Sequence, residues 1–175
     1  MKLNLAYYND PVLRVKAQRV ECIDDHLRQL VDDMIETMHA LNGIGLAAPQ
    51  IHQSISLFVT CVPTQTPSGK WASGEPRIFI NPQIISSSEE MQTFSEGCLS
   101  IPNLHMKVTR PKEIKIQATD FNGRSFEETM VGFEATNFMH ENDHLNGILI
   151  VDYYSIEERK LLEQLFNASI QRTIG

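Results

Sequence analysis

Two histidines and a glutamate stand close together in the stretch NFMHENDHLNG, residues 137–147. If this stretch is helical, His140 and His144 share one face, because residues four apart lie one above the other on a helix. Two imidazoles placed in this way can bind one metal ion, and Glu141 can reach a water on that ion without being a ligand. This division of roles is typical of zinc hydrolases, in which the glutamate moves protons. The alternative is a surface helix that carries unrelated histidines.

A catalytic metal site needs a further ligand, since such sites usually combine three protein ligands with an open position. Glu157 and Glu158 lie downstream, but both fall in the first turn of a predicted helix, where capping and the helix dipole explain them. Cys98 in SEGCLSIP is the better candidate, because a thiolate binds borderline metals strongly and the neighbouring Gly and Pro indicate a bent, loop-like segment. A small buried hydrophobic residue is the alternative for Cys98, and it is the expected role of Cys22 and Cys61.

The stretch NGIGLAAPQ, residues 42–50, is rich in small residues that allow close approach of the backbone. It lacks the lysine of a phosphate-binding loop. Gln50 can offer an amide N–H to an oxyanion that develops during a reaction. The alternative is a tight connection between a helix and a strand.

Two predicted helices position these residues. The first is expected from about Asp24 to Leu41, because its apolar residues recur every three or four positions, and Asn42 with the glycine after it ends it. The second is expected from about Phe133 to Leu145 and carries both histidines.

Strand-like runs lie between the two helices: ISLFVTCV, RIFINPQII and EIKIQATDF. Asn122-Gly123 predicts a hairpin turn after the third run, with RSFEETMV as the returning strand. Residues 61–77 are expected to form a long loop or hairpin tip. A last helix should begin at Ser155, which forms a capping box with Glu158. Its predicted apolar face consists of Leu161, Leu162, Leu165 and Ile170.

Strands grouped between helices, without regular βαβ alternation, favour an α+β fold. We expect residues 1–175 to form a single domain, in which antiparallel or mixed sheets pack around the central helix with the two histidines. Further helices then lie near both ends of the chain. A length of 175 residues suits one domain with a sizeable core.

The composition narrows the class of protein. The formal net charge is −7, so general binding to nucleic acid is not expected. No apolar run approaches the roughly 18 residues of a membrane span, and the first residues do not resemble a signal peptide. Three cysteines without framework spacing indicate reduced thiols in a cytoplasm.

Taken together and in this order, GIGLAAPQ, EGCLS and HENDH resemble the three signature motifs of the peptide deformylases. The family patterns are G-x-G-x-A-A-x-Q, E-G-C-x-S and H-E-x-D-H, and every fixed position is present. The similarity covers most of the chain between Tyr8 and Ile156, including NDPVLR, INPQI and DHLNGIL. It implies an enzyme that removes formate from the formyl-methionine of new bacterial polypeptides.

The resemblance assigns a role to each motif residue. Cys98, His140 and His144 would bind one divalent metal ion, natively Fe(II) and replaceable by Zn(II), Ni(II) or Co(II). Glu141 would accept a proton from water and pass one to the leaving amine. The remaining catalytic groups would be Gln50 and the backbone N–H of Leu99, which hold the oxyanion, and Gly45, which shapes the bottom of that pocket.

The substrate would be the N-formylmethionyl end of a nascent chain, with transient ribosome contact as a further expectation. Glu96 is expected to pair with Arg110 and fix the loop before Cys98, as a similar pair does in the family. Asp143 would orient a ligand histidine or brace that loop. The expected substrate-binding residues are Gly43, Ile44, Phe94, Gly97, His105, Phe133, Thr136 and Asn137.

Three differences from the family pattern involve four residues. His105 stands where an arginine that helps hold the peptide backbone is common, and Met139 replaces a common glutamine. Thr136 and Asn137 fall where the pocket for the methionine side chain is usually apolar. The sequence therefore predicts a more polar pocket and a weaker preference for methionine.

Two other functions stay open at this point. One is an HExxH peptidase, and the other is a diverged deformylase fold that binds peptide without turnover. The expected location is a bacterial-type cytoplasm, with a phage or processed organellar copy as the alternative.

Overall fold

The computed structural model describes residues 2–72 and 74–174; within them, the side chains of Gln65 and of residues 168–174 are not described. The helices of these ranges are α1 (Asp25–Ala40), α2 (Gly132–Leu145) and α3 (Ile156–Ile174). The strands are β1 (Gly45–Ala47), β2 (Leu57–Thr60), β3 (Thr64–Gln65), β4 (Trp71–Ala72), β5 (Arg77–Ser87), β6 (Met91–Cys98), β7 (Ile101–Pro111), β8 (Glu113–Thr119) and β9 (Ser125–Val131).

Two sheets enclose the central helix. Five strands form an antiparallel sheet in the order β1-β2-β5-β8-β9, while β6 and β7 form a separate antiparallel hairpin. Helix α2 contacts β1, β2 and β9 of the large sheet and also β6 and β7 of the hairpin. The α+β class and the central position of α2 are therefore confirmed.

Aromatic packing fixes the rotation of α2 against the large sheet. The ring of Phe138 lies edge-on to Phe58 and Phe79, with centroid separations of 5.0 and 5.1 Å. Such pairs contribute about 0.5–1.5 kcal/mol beyond their burial. His140 follows Phe138 by two residues, about 200° around the helix, so its side chain faces away from the large sheet and toward Glu96 of β6.

Helix α1 follows the prediction closely. Asp24 caps it, since its carboxylate accepts a hydrogen bond from the backbone N–H of Leu27 at 2.8 Å. The helix ends before Asn42, whose φ of 55° reverses the chain toward β1. Its buried stripe packs on the β1 and β2 side of the large sheet and consists of Leu27, Val31, Met34 and Met38.

The predicted apolar face of α3 is partly wrong. The capping box is confirmed, because Ser155 and Glu158 exchange side-chain hydrogen bonds with each other's backbone N–H. Leu161 and Leu165, however, are 60% and 51% exposed. Tyr8 decides which side faces inward: its ring meets Phe166 at 5.5 Å and its hydroxyl donates to Glu163. Leu162 packs inward on the same cluster, while the side chain of Ile170 lies outside the described residues.

The segment around Cys98 is a strand end rather than a loop. Cys98 is the last residue of β6, and a tight turn through Leu99 and Ser100 leads into β7. The register shifts between Gly97 and Cys98, and this irregularity bends the strand at that point. The hairpin was not predicted, because its turn contains no Gly, Asn or Pro to signal it.

Further expectations concern the loose stretch 61–77, the two remaining cysteines and membrane-spanning helices. The loose stretch 61–77 contains the short hairpin of β3 and β4, as predicted. Cys61 is buried as expected, whereas Cys22 is exposed because it lies in an irregular segment before α1. Among the described residues, no helix has both the length and the apolar character needed to cross a membrane.

Candidate active site and metal centre

The end of β6 and the face of α2 bring together one thiol and two imidazoles. Cys98, His140 and His144 each offer one ligand atom, and these three atoms lie within 4.8 Å of one another. The Sγ atom of Cys98 is 3.3 Å from Nε2 of His144. All three residues are buried. The structure therefore brings Cys98 together with the two histidines of α2, as the sequence predicted.

The chemistry of this donor set fits a divalent metal ion. With ligand bonds of about 2.3 Å for sulfur and 2.0 Å for nitrogen, two ligands of one tetrahedral ion stand roughly 3.5 Å apart. The separation of Cys98 Sγ and His144 Nε2, 3.3 Å, is close to that value. Among the described residues, the buried side-chain nitrogen and oxygen atoms without a hydrogen-bond partner are His144 Nδ1 and Glu141 Oε2, and both belong to this centre.

A buried carboxylate fixes the orientation of His140. Glu96 Oε2 lies 2.9 Å from His140 Nδ1, so that Nε2 is the ring nitrogen available to a metal ion. Arg110 binds the same carboxylate with two hydrogen bonds, at 2.7 and 3.0 Å. The predicted pair of Glu96 and Arg110 is confirmed, and it acts on the metal centre through His140.

The guanidinium of Arg110 also joins this pair to the end of α2. Its Nη1 donates to Asp143 and to the hydroxyl of Tyr153, each at 2.8 Å. The Tyr153 hydroxyl donates to Asp143 at 2.8 Å, and its ring lies 4.7 Å from the guanidinium carbon. Asp143 thus braces Arg110 rather than a ligand histidine. Tyr153 was not predicted, since no motif in the sequence marks it.

Burial and pairing shift the titration of these groups in different directions. Burial raises the pKa of Glu141 to about 7 and lowers the pKa of His144 well below 6.5. Burial also acts to raise the pKa of Glu96, but hydrogen bonds from His140 and Arg110 outweigh it and lower that pKa. For His140, burial acts to lower the pKa, but hydrogen bonds with Cys98 and Glu96 raise it well above 6.5.

Glu141 lies directly against Gly45 of β1. A Cβ atom at position 45 would overlap the carboxylate of Glu141, so only glycine leaves room for it. One oxygen of this carboxylate has no hydrogen-bond partner among the described residues. The predicted proton carrier is therefore buried, has a pKa of about 7, and keeps one carboxylate oxygen without a hydrogen-bond partner among the described residues.

The side chain of Gln50 is held with its amide nitrogen toward the centre. Its Oε1 accepts from the backbone N–H of Ala47 at 2.9 Å, which settles which end of the amide is the donor. Its Nε2 lies 3.1 Å from the hydroxyl of Ser100 and 3.6 Å from Cys98 Sγ. Ser100, a fully buried residue of the EGCLS motif, was not predicted to have this role.

A cavity of about 560 Å³ opens onto these residues. Leu5, Tyr7 and Leu41 also line it and were not predicted. Phe94 does not line it but packs behind Phe133, with ring centroids 5.4 Å apart. The predicted residues that line it are Gly43, Ile44, Gly45, Gln50, Gly97, Cys98, Leu99, His105, Phe133, Thr136, Asn137, His140 and Glu141.

Both polar residues of the expected methionine pocket have partners inside the protein. The hydroxyl of Thr136 accepts from Gln92 Nε2 at 3.0 Å. The amide nitrogen of Asn137 donates to the carbonyl of Ile44 at 3.1 Å.

His105 also lines the cavity. It stands opposite Gly97 in the pairing of β6 and β7, and a Cβ at Gly97 would come within 3.0 Å of the His105 ring. The glycine thus leaves room for the imidazole beside the centre.

The class of protein follows from this arrangement. A thiolate and two imidazoles that could hold one metal ion, next to a buried glutamate that lines a cavity, are the parts of a metal-dependent hydrolase.

Comparison with known proteins gives the family. The family described as polypeptide deformylase matches residues 2–160. The peptide deformylase of Bradyrhizobium diazoefficiens is 42% identical over 163 residues, which cover 93% of each chain. The crystal structure of peptide deformylase from Ehrlichia chaffeensis matches with a TM-score of 0.91 at 34% identity, over 100% of both chains. A Met-Ala-Ser-bound peptide deformylase from Acinetobacter baumannii matches with a TM-score of 0.81 at 32% identity, over 88% of this chain and 99% of that one. The chain belongs to the polypeptide deformylase family.

Proposed function

We propose that this chain hydrolyses the formyl amide of N-formylmethionyl peptides, with Cys98, His140 and His144 holding one divalent metal ion. Peptide deformylases remove the formyl group from nascent peptides, and the family match covers residues 2–160. The convergence of the three ligand atoms within 4.8 Å carries the assignment of the site. The comparisons support neither a peptidase nor a binding module without turnover.

The reaction consumes one water, breaks the bond between the formyl carbon and the amide nitrogen, and yields formate and a free amine. A bound divalent ion would supply Lewis-acid activation of water and of the formyl oxygen. Glu141 accepts the proton of the attacking water and later donates one to the amine nitrogen. Its pKa of about 7 suits both directions of transfer near neutral pH.

The negative charge that develops on the formyl oxygen needs donors already in place. Gln50 offers its amide nitrogen, which Ala47 and Ser100 hold in position before substrate arrives. The backbone N–H of Leu99 is the second donor in the proposal. Leu99 directly follows the ligand Cys98 and lines the same cavity.

We assign Fe(II) as the native ion and expect Zn(II), Ni(II) and Co(II) to occupy the same ligands. One thiolate with two imidazoles accepts all of these ions, so availability rather than affinity selects among them. A thiolate beside Fe(II) is open to oxidation. The Fe(II) form should therefore lose activity in air faster than the Ni(II) form.

We further propose that residues 1–175 act as one catalytic domain in a bacterial-type cytoplasm, where formylated nascent chains are made. The contacts of α2 with both sheets support a single catalytic unit. Contact with the ribosome stays a prediction, and co-sedimentation of the protein with purified ribosomes tests it.

Formate release from formyl-Met-Ala-Ser by protein prepared without oxygen and loaded with Fe(II) or Ni(II) tests the activity. Wild type should turn over, whereas Glu141→Gln should keep its metal and lose about 100-fold or more in kcat, since a positioned acid–base group contributes about 10²–10⁴-fold. No formate from folded, metal-bearing wild type would refute the proposal. Full activity in the variant would refute the role of Glu141.

A further inference from the structure

The strand β6 places alternate side chains against α2, as the two-residue repeat of a strand requires. The two nearest its end, Glu96 and Cys98, belong to the metal centre. Gln92, near its start, also reaches α2. Its Nε2 donates to the carbonyl of Gly132 at 2.7 Å and to the hydroxyl of Thr136 at 3.0 Å. These bonds tie the first turns of the helix to the strand.

The start of α2 depends on such external contacts. Val131, the residue before the helix, provides no side-chain cap, and Gly132 has a φ of 66°. The first N–H groups of a helix have no partner within the helix. The Gly132 N–H instead donates to the carbonyl of Lys112 at 2.8 Å, and Gln92 holds the Gly132 carbonyl. The position of this turn is therefore set by residues outside α2.

This turn forms one wall of the cavity. Thr136 and Phe133 line the cavity, whereas Gln92 and Phe94 lie behind them and do not. Thr136 is almost fully buried, and its hydroxyl is engaged by the strand behind it. The Thr136 hydroxyl thus helps to hold this wall of the cavity in position.

We propose that Gln92 is a positioning residue that sets substrate specificity by fixing the width of the pocket for the first side chain. It does so through Thr136 and Gly132, without touching the substrate. The inference rests on the proposed deformylase function and concerns how this chain selects among formylated peptides. In this inference, the polar groups of the pocket do not select the substrate by direct contact. The width of the pocket instead excludes branched and aromatic side chains.

Two substitutions at position 136 separate the explanations. Thr136→Val keeps the shape and removes the hydroxyl, whereas Thr136→Ser keeps the hydroxyl and removes a methyl group. If the hydrogen bond sets the width, valine loosens the pocket and serine does not. If Thr136 acts by shape alone, serine loosens the pocket and valine does not. If the Thr136 hydroxyl binds the substrate directly, Thr136→Val changes the kcat/KM ratio of glutamine to methionine as first residue. Larger side chains are then still excluded.

The experiment measures kcat and KM on formyl-X-Ala-Ser with X as methionine, norleucine, leucine, phenylalanine or glutamine. Proteins carry Ni(II), and the variants are Gln92→Ala, Thr136→Val and Thr136→Ser. A single methylene in an apolar pocket discriminates by about 10–200-fold. In Gln92→Ala and Thr136→Val we therefore expect the kcat/KM ratio of leucine or phenylalanine to methionine to rise on the order of tenfold. The change should lie mainly in KM for the larger peptides.

Gln117→Ala is the matched control. Gln117 is also a strand glutamine whose amide donates to a hydroxyl, that of Ser125 at 3.1 Å, but it does not line the cavity. Its removal should leave every ratio unchanged. Unchanged ratios in Gln92→Ala or in Thr136→Val, or widening in Thr136→Ser alone, would overturn the inference. Absence of formate from wild type on all peptides would instead refute the proposed function on which the inference rests.

Discussion

At the end of β6, Glu96 and Cys98 meet His140 and His144 in buried contacts between ionisable groups. At the start of the same strand, Gln92 meets the first turns of α2 through a neutral, half-buried amide. One strand face and one helix therefore carry two different kinds of contact. A charge taken out of water must be paired and hydrogen-bonded, so the charged groups at the end of β6 tolerate little change. The neutral end can vary without that penalty.

The charged groups around the end of β6 depend on one another for their pairing. Arg110 holds Glu96 and Asp143, and Glu96 holds His140, so each charged group depends on another. At the pocket end, by contrast, Gln92 contacts two neutral groups, the Gly132 carbonyl and the Thr136 hydroxyl. Substrate selection can therefore change while the metal centre remains intact.

Loss of a ligand at the charged end should have the largest effect. Cys98→Ala removes the thiolate, and we expect metal affinity to fall by more than about 100-fold, because loss of an outer partner alone costs about 10–100-fold. Metal content by mass spectrometry and formate release should fall together. Cys61→Ala is the matched control, since Cys61 is also buried but its thiol faces the carbonyl of Gly74. Equal metal loss in both variants would contradict the assignment of Cys98.

Removing Arg110 tests the dependence of the charged end on pairing. Arg110→Met leaves the buried Glu96 and the partly buried Asp143 without their cation, which should cost about 3–5 kcal/mol in the free energy of unfolding. The side chain of Arg110 is 3% exposed, whereas that of Arg77, which also pairs with two carboxylates, is 35% exposed.

Arg77→Met is therefore the control, and its pairs with Glu128 and Glu134 are each worth at most about 1 kcal/mol. Urea unfolding of both variants gives the comparison. Similar losses would show that burial does not distinguish the two arginines.

Two glycines of the 42–50 stretch sharpen the comparison within the active site. Gly45→Ala places a methyl group on the Glu141 carboxylate, and a displacement of about 1 Å in a catalytic group can cost about 100-fold in rate. Gly43→Ala meets the end of the Leu99 side chain at 2.8 Å, which can rotate away. We expect a large loss of kcat in the first and a loss of a few-fold or less in the second. Steady-state rates on formyl-Met-Ala-Ser decide, and equal rates would contradict the role given to Gly45.

The sequence predicted best what depends on local spacing. The apolar repeat and the Asn42 stop placed α1 within a residue at each end. The four-residue spacing of His140 and His144 put both on one face of α2. Such features depend on a few adjacent residues and on the geometry of a single element, so tertiary packing does not alter them.

Contacts between distant segments were harder to predict from the sequence. Gln92 with Thr136, Gln50 with Ser100 and the hydroxyl of Tyr153 lie in no local pattern, because each depends on how β6 and β7 pair with one another and pack on α2. The hairpin itself lacked a turn signal. For the same reason the apolar face of α3 was misjudged: Leu161 and Leu165 look like core residues in the repeat, and only the position of Tyr8 shows that Phe166 faces inward.

The last and smallest predicted effect compares two buried carboxylates, Glu96 and Glu141, in protein stripped of metal. The pKa of Glu141 is raised from 4.5 to about 7, so the native state keeps this proton to higher pH than the unfolded chain. Between pH 4.5 and about 7 the native state therefore binds more protons at this site, and the free energy of unfolding falls as pH rises.

Glu96 should show the opposite sign. Its pKa is lowered, because the bonds from His140 and Arg110 outweigh the effect of burial. Its contribution to stability is present above the unfolded pKa of 4.5 and is lost as pH falls through the lowered native value. Urea unfolding from pH 3 to pH 8, with Glu96→Gln and Glu141→Gln, measures both differences from wild type. If the difference in free energy of unfolding from wild type changed with pH in the same direction for both variants, pairing by Arg110 would not give the two carboxylates opposite pKa shifts. That result would contradict the contrast between a paired and an unpaired buried acid.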